Sequence, residues 1–446
     1  MSTLYGRRPR SGLTTVLALA LIALAVAALA FAQGLRDTDR TRGRTMLRVI
    51  KKDLVKYYYD PAFHGVDLEA RFAKAEEDLE QATSVGQMFG IIAQAVADLG
   101  DSHTRFIPPS RTAQFEYGWR MRVMGETPYV IAVKPGSDAE AKGLKIGDTI
   151  LAIDGNPPTR RNASMFRFRY YLVRPVTQMR LTVRSPGGPP RQIDIATKVD
   201  MGKKFKDLTD GEDYWDLLRE AENLSEKHRF VDSADQGILI WNIPTFDEYG
   251  SELKAKAAKM HKYKSVIIDL RGNPGGYEVS LTCLLGHFFD HDVTIGQLVG
   301  RGKPKKPVIA KTQGDNVFKG NLIVLVDGDS GSAAELFARV VQLEKRGVVI
   351  GDRSAGAVMR SIVYTRQTAG EYVLLYGISI TINDLLMTDG KSLEGEGVVP
   401  DETVLPTGAD LAAGLDPVLA RAVQRAGGQM TPAAAGQAFP YVWLER

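Results

Sequence analysis

A single cysteine, Cys283, stands in a chain of 446 residues, so no disulfide can close within it. That lone cysteine and six scattered histidines leave no zinc-binding spacing, and neither a metal nor another cofactor is expected. Excess charge is also scarce. Of the net +4, three charges belong to Arg7, Arg8 and Arg10, leaving about +1 elsewhere. So balanced a surface gives no reason to expect a nucleic-acid partner. Long apolar runs are missing too, apart from one, Leu13 to Ala32.

That run comes after the three arginines and ends in Ala30-Phe31-Ala32, a small-x-small cleavage pattern. It reads as a signal peptide over residues 1–32, cut after Ala32. It is also long enough to act as an uncleaved membrane anchor through residues 13–32. Either way the body of the protein is expected outside the cytoplasm, in the periplasm or envelope of a bacterium.

Beyond Ala32 the chain divides by pattern. Residues 33–112 have apolar positions at three- and four-residue steps, as in "TMLRVIKKDLVKYYY" and "MFGIIAQAVADLG", which predicts helices with a stop at Gly100. "DSHTRFIPPS" then reads as a loop. Residues 113–200 alternate in short strands broken by glycine turns, with a small helix near Asp138–Lys142. The charged residues 201–235 read as a connector around an amphipathic helix, "YWDLLREAENL". Beyond Gly237, strands such as "SVIIDL" and "NLIVLVD" alternate with helices such as "AAELFARVVQLEK", which implies an α/β core over the remainder of 201–446.

The second buried strand runs into "GDSGSAAE", residues 328–335. Gly-Asp-Ser-Gly also occurs in chymotrypsin-like proteases, but those are all-β, and here the string joins a strand to a helix. Ser332 with Glu335 fits a capping box, which needs no chemistry. The same turn suits a nucleophile, because a helix N-terminus favours developing negative charge and the Ala333 N–H can face an oxyanion. "DLRGNPGG" offers a second donor from Gly275 or Gly276, with no side chain to block approach. Two such strand ends imply a cleft at the carboxyl edge of the sheet.

Four motifs in order carry a resemblance over most of residues 90–425. They are "PGSDAEAKGLKIGDTILAIDG", which looks like part of a PDZ domain, "VIIDLRGNPGG" with "VLVDGDSGSAAELFA", "GVVIGDRSAGA", and "LEGEGVVPD". Together they resemble the C-terminal processing (tail-specific) protease family. The resemblance implies a mixed-sheet α/β protease core of the ClpP/crotonase-like kind, plus an N-terminal helical segment and a β-rich PDZ domain. It also implies a serine endopeptidase acting on protein or peptide substrates. The family's nucleophile stands three residues before a glutamate, which selects Ser332 over Ser330.

Many members take their base from a lysine 25 residues after the serine. Here that position is Ala357, and no lysine lies between Lys345 and Lys391. The tricorn-like branch uses a Ser-His pair upstream of the PDZ region and a glutamate in Glu-x-x-Gly-Val. Ser102 and His103 match the first, and Glu394 matches the second; Glu396 is out of register. The implied set is Ser332, His103, Glu394 and Ser102, with oxyanion donors Ala333 and Gly275 or Gly276. The PDZ likeness puts a carboxylate-binding loop at Tyr117, Gly118, Trp119 and Arg120, although Trp119 and Arg120 depart from its small apolar pattern. The missing lysine keeps open a non-catalytic ligand- or peptide-binding protein on the same scaffold.

Overall fold

The computed structural model describes residues 35–111, 113–201, 227–302, 304–368, 373–441 and 443. The apolar run 13–32 and the stretch "YWDLLREAENL" lie outside them. Among the described residues no helix is long and apolar enough to cross a membrane.

Helices α1 (Asp37–Tyr57), α2 (Leu68–Glu80) and α3 (Val85–Ala97) realise the helical periodicity. Met46, Leu47, Ile50 and Leu54 of α1 bury against Phe72 and Leu79 of α2 and Ile92 and Val96 of α3. Ser84 caps α3 by accepting the Gln87 N–H. The chain then departs from the expected loop. Arg105–Ile107 is a buried strand, β1, too short to show alternation in the sequence.

A second module begins with β2 (Ala113–Glu116), which pairs with β8 (Lys198–Met201) as a ribbon. Between them lies a five-stranded antiparallel sheet in the order β3-β4-β5-β6-β7. Its strands are β3 (Trp119–Met124), β4 (Thr127–Val133), β5 (Thr149–Ile153), β6 (Gln178–Arg184) and β7 (Pro190–Ala196). Val130, Ile150, Leu181, Val183 and Ile195 fill its core. Two helices serve it: α4 (Asp138–Ala141) and α5 (Ala163–Arg167), the latter running into a π-helical turn at Phe168–Val173. Strand β3 is left at the edge.

The largest module holds a six-stranded sheet in the order β18-β15-β14-β11-β10-β9. Part of the expected connector is in fact β9 (Arg229–Ser233), the antiparallel edge strand. Strands β10 (Ile238–Asn242), β11 (Ser265–Asp269), β14 (Asn321–Val326), β15 (Val348–Gly351) and β18 (Glu402–Thr403) run parallel. Continuous apolar runs suit strands buried on both faces. One face meets α6 (Gly250–Ala257), α7 (Glu278–Leu285) and α8 (Ala333–Leu343). Helix α9 (Gly408–Ala412) precedes α10 (Pro417–Arg425) and α11 (Pro432–Ala438), which cover the other face.

A second sheet joins β12 (Val293–Val299), β13 (Lys306–Ala310), β16 (Arg360–Thr368) and β17 (Leu374–Met387). Strand β1 pairs antiparallel with β17, Arg105 opposite Ser379 and Ile107 opposite Gly377. That register brings residues 101–104 from the helical segment to the core.

Candidate active site

The turn between β14 and α8 is fixed first by Ser330. It is fully buried; its Oγ donates to the Leu270 carbonyl (2.8 Å) and accepts the Asp327 N–H (2.9 Å). Ser330 is thus spent on structure. Ser332 keeps part of its surface open and sits at φ +50°, ψ −118°. A non-glycine residue at positive φ costs energy and persists only where its surroundings over-determine it. Those surroundings are the Ala357 carbonyl, 2.8 Å from the Ser332 N–H, and Glu335 Oε2, 3.0 Å from the same N–H. The capping box is lopsided: the glutamate half is made, while the Glu335 N–H reaches the Ser332 carbonyl (3.0 Å) and the hydroxyl makes no cap hydrogen bond.

Glu335 does more than cap. Its fully buried carboxylate also accepts from Ser354 Oγ (2.6 Å) and from the N–H groups of Gly356 (2.7 Å) and Ala357 (2.8 Å). Burial pushes its pKa up to about 7, although all these donors pull it down. One side chain therefore ties the Ser332 turn to the loop 354–357.

Across the turn, a Cβ on Gly275 would lie 2.6 Å from Ser332 Cβ and 3.1 Å from the Ala333 nitrogen. Only glycine fits, and its φ of +110° requires glycine as well. The Gly275 N–H is already donated to Asn273 Oδ1 at 2.7 Å, which removes it as an oxyanion donor. Gly276, at φ +141°, is exposed.

The predicted partners from the helical segment arrive on β1. Asp101, buried, accepts from the N–H groups of His103 (2.9 Å) and Thr104 (2.7 Å), from Thr381 Oγ1 (2.6 Å) and from Tyr58 Oη (2.8 Å). It pins the Ser102–His103 turn to α1 and β17. Ser102 Oγ lies 2.6 Å from His103 Nδ1 and donates to Glu394 Oε2 at 2.9 Å, while the Ser102 N–H donates to Glu394 Oε1 at 2.6 Å. Glu394 Oε2 also accepts the Val358 N–H at 3.0 Å. A continuous hydrogen-bonded line thus runs from Ser332 through Ala357 and Val358 to Glu394, Ser102 and His103.

Glu394 is partly buried, in contrast to the exposed Gly395 and Glu396 that follow it. Burial raises its pKa to about 7 against three hydrogen bonds. His103 keeps some exposed surface, yet desolvation lowers its pKa to about 4, with Asp101 opposing and Arg105 adding to the shift.

Tyr117, Trp119 and Arg120 of the expected carboxylate loop line a small cavity together with Met121, Phe166 and Tyr170. Tyr117 is a buried anchor: its hydroxyl donates to the Tyr170 carbonyl (2.9 Å) and accepts the Val176 N–H (3.1 Å). Gly118 is at φ +75°, with Ser137 filling the space a side chain would need. Trp119 and Arg120 are buried. Sequence reasoning missed how this module docks. Arg122 of β3 pairs with Asp327 (2.9 Å) and Asp329 (3.0 Å), and Arg167 with Asp329 (2.9 Å). Both aspartates belong to the Ser332 turn. Arg160 adds an ion pair to Asp352. Among the described residues no cluster of His, Cys, Asp or Glu is placed to hold a metal.

Residues 237–404 match the model of peptidase family S41. The chain is 25% identical over 340 residues to the carboxy-terminal processing protease CtpB of Bacillus subtilis (strain 168), covering 73% of this chain and 64% of that one. It is 24% identical over 387 residues to the chloroplastic C-terminal processing peptidase of Tetradesmus obliquus, covering 78% and 75%. The chain therefore spans just under two thirds of the Bacillus relative's length. The crystal structure of mature CPAF has a similar fold, with a TM-score of 0.61 at 15% identity over 84% of this chain and 95% of that one.

Proposed function

We propose, from the match of residues 237–404 to peptidase family S41, that the chain is an exported serine endopeptidase of the tricorn-like branch, acting through Ser332, His103 and Glu394. The observation that carries this reading is the proton path at Ser102. A carboxylate only accepts, so the Ser102 hydroxyl proton goes to Glu394. Ser102 Oγ must then accept from His103, which fixes the proton on Nδ1 and the lone pair on Nε2.

In the proposed reaction Nε2 takes the Ser332 hydroxyl proton as Oγ attacks the scissile carbonyl carbon. The oxyanion is met by the N–H groups of Ala333 and Gly276. Ala333, in the first turn of α8, has no other hydrogen-bond acceptor among the described residues. The imidazolium is stabilised by Glu394 through Ser102. It gives its proton to the leaving amine as the C–N bond breaks. Water then enters, loses a proton to Nε2 and releases the acyl group, restoring Ser332.

The middle module is read as PDZ-like. Its edge strand β3 and the Tyr117–Arg120 loop would take a substrate tail as an added strand. The run 13–32 would export or anchor the chain.

Labelling with a fluorophosphonate tests the reading. Wild-type protein should label at Ser332, with Ser332→Ala silent and His103→Ala slowed at least about a hundredfold. No labelling of the folded wild-type protein would leave a non-catalytic binding protein in its place.

A further inference from the structure

Exposed aromatic side chains are rare among the described residues. Among the described residues only Tyr249 and Tyr277 qualify, at 58% and 56% exposure. They touch each other edge to face, with ring centroids 6.3 Å apart and planes at 85°. Val279, 54% exposed, stands two residues beyond Tyr277. Single exposed apolar residues such as Val279 need no explanation, but two exposed aromatic rings in contact mark a binding surface.

Its position narrows what binds. Tyr277 directly succeeds Gly276, and Gly275 is in van der Waals contact with Ser332. The two tyrosine-bearing segments are knit together at this point. The Phe246 N–H donates to the Gly275 carbonyl (2.7 Å), and the Tyr277 N–H donates to the Phe246 carbonyl (2.8 Å). Phe246 is buried and meets Phe337 of α8, ring centroids 6.4 Å apart. The platform thus shares a rigid frame with the nucleophile turn. Neither phenol makes a hydrogen bond among the described residues, and the contact the two rings make is the edge-to-face one with each other.

We propose that Tyr249 and Tyr277 form a substrate subsite beside the scissile bond, selecting polypeptides with a large apolar or aromatic side chain there. The proposal rests on Ser332 as nucleophile. Aromatic rings offer edge-to-face and stacked contacts that small side chains cannot use. Asp247 Oδ1 lies 2.9 Å from where a Gly276 Cβ would be, and this neighbouring carboxylate disfavours acidic side chains.

The test uses full-length protein and two sets of measurements. First, kcat/KM is compared for peptide series in which residues flanking the cleaved bond are varied among Phe, Leu, Ala and Asp. Wild type should prefer Phe or Leu over Ala at one flanking position by about tenfold or more. Tyr277→Ala and Tyr249→Ala should erase most of that preference, and Tyr277→Phe should keep it, because the phenol has no partner. Second, the labelling rate with a small, polar fluorophosphonate should be the same in all of these variants. Preference unchanged in Tyr277→Ala, with labelling intact, overturns the subsite. So does a change of oligomeric state in that variant without a change of preference. Failure of the wild type to label sinks the nucleophile itself, a separate outcome.

Discussion

Ser102 Oγ lies 2.9 Å from Glu394 Oε2 although 292 residues separate the two in the chain. This contact makes the direction of the relay depend on one proton. With Glu394 ionised, Ser102 donates to it and His103 carries its proton on Nδ1. With Glu394 protonated, the acid donates to Ser102, Ser102 donates to Nδ1, and the histidine proton moves to Nε2. The base is then gone.

The pH profile should therefore report Glu394. Its pKa is raised to about 7 by burial, whereas that of His103 is lowered to about 4. Activity needs the carboxylate, so kcat/KM should rise with pH and level off above about 7. Glu394→Gln should lose that limb and at least about a hundredfold in rate. An amide also turns a donor toward either the Val358 or the Ser102 N–H. A limb that persists near 7 in Glu394→Gln would assign it to another group.

Ser332→Ala should lower turnover by at least about a thousandfold with little change in stability. Ser330→Ala should do the reverse. It leaves the Asp327 N–H without its acceptor, costing about 1–3 kcal/mol, while the nucleophile survives. Thermal melts and rates on both variants check the pair.

The names of the proposed reacting residues were readable because each sits in a short motif. "GDSGSAAE", "DSHTRF" and "LEGEGVV" carry the resemblance that points to Ser332, His103 and Glu394. What holds them was not readable. Glu335 accepts mostly from backbone N–H groups, two of them more than twenty residues on, and a backbone group leaves no trace in residue identity. The distant donors to Asp101, the Tyr58 and Thr381 hydroxyls, lie 43 and 280 residues away in the chain. β1 has three residues, fewer than a period-2 pattern needs. The choice between Gly275 and Gly276 turns on the Asn273 side chain, visible only once the loop is folded. The pKa values of His103 and Glu394 result from burial, which no local spacing encodes.

Glu335→Gln tests the clamp. Each carboxylate oxygen accepts two hydrogen bonds, so either orientation of the amide turns its NH2 toward a backbone donor. The expected cost is about 1–3 kcal/mol in stability. kcat should fall at least tenfold while KM stays near wild type, because the Glu335 carboxylate is fully buried and acts on substrate only through the Ser332 turn and loop 354–357. Equal kcat with lowered stability would make Glu335 a cap and nothing more.

The chain's last described residues give the final prediction. Tyr441 packs with Met124, Ile131 and Leu411, between the sheet β3–β7 and α9. Its ring lies under Arg122, 5.5 Å from the guanidinium carbon, and Trp443 lies 4.4 Å from that of Arg120. Arg122 is the residue that reaches Asp327 and Asp329 in the Ser332 turn. Removing the ring opens a path for water to that buried ion pair and weakens it. Tyr441→Ala should then loosen the docking without unfolding either module. Amide exchange should quicken in Trp119–Met124 and Asp327–Ser332 and stay unchanged in α1–α3. Under the proposed tail-binding role of this module, cleavage of long, tailed substrates should change more than cleavage of short peptides. Exchange that quickens uniformly would mean the tyrosine serves global stability, and exchange that does not quicken would mean the ion pairs hold the module without it.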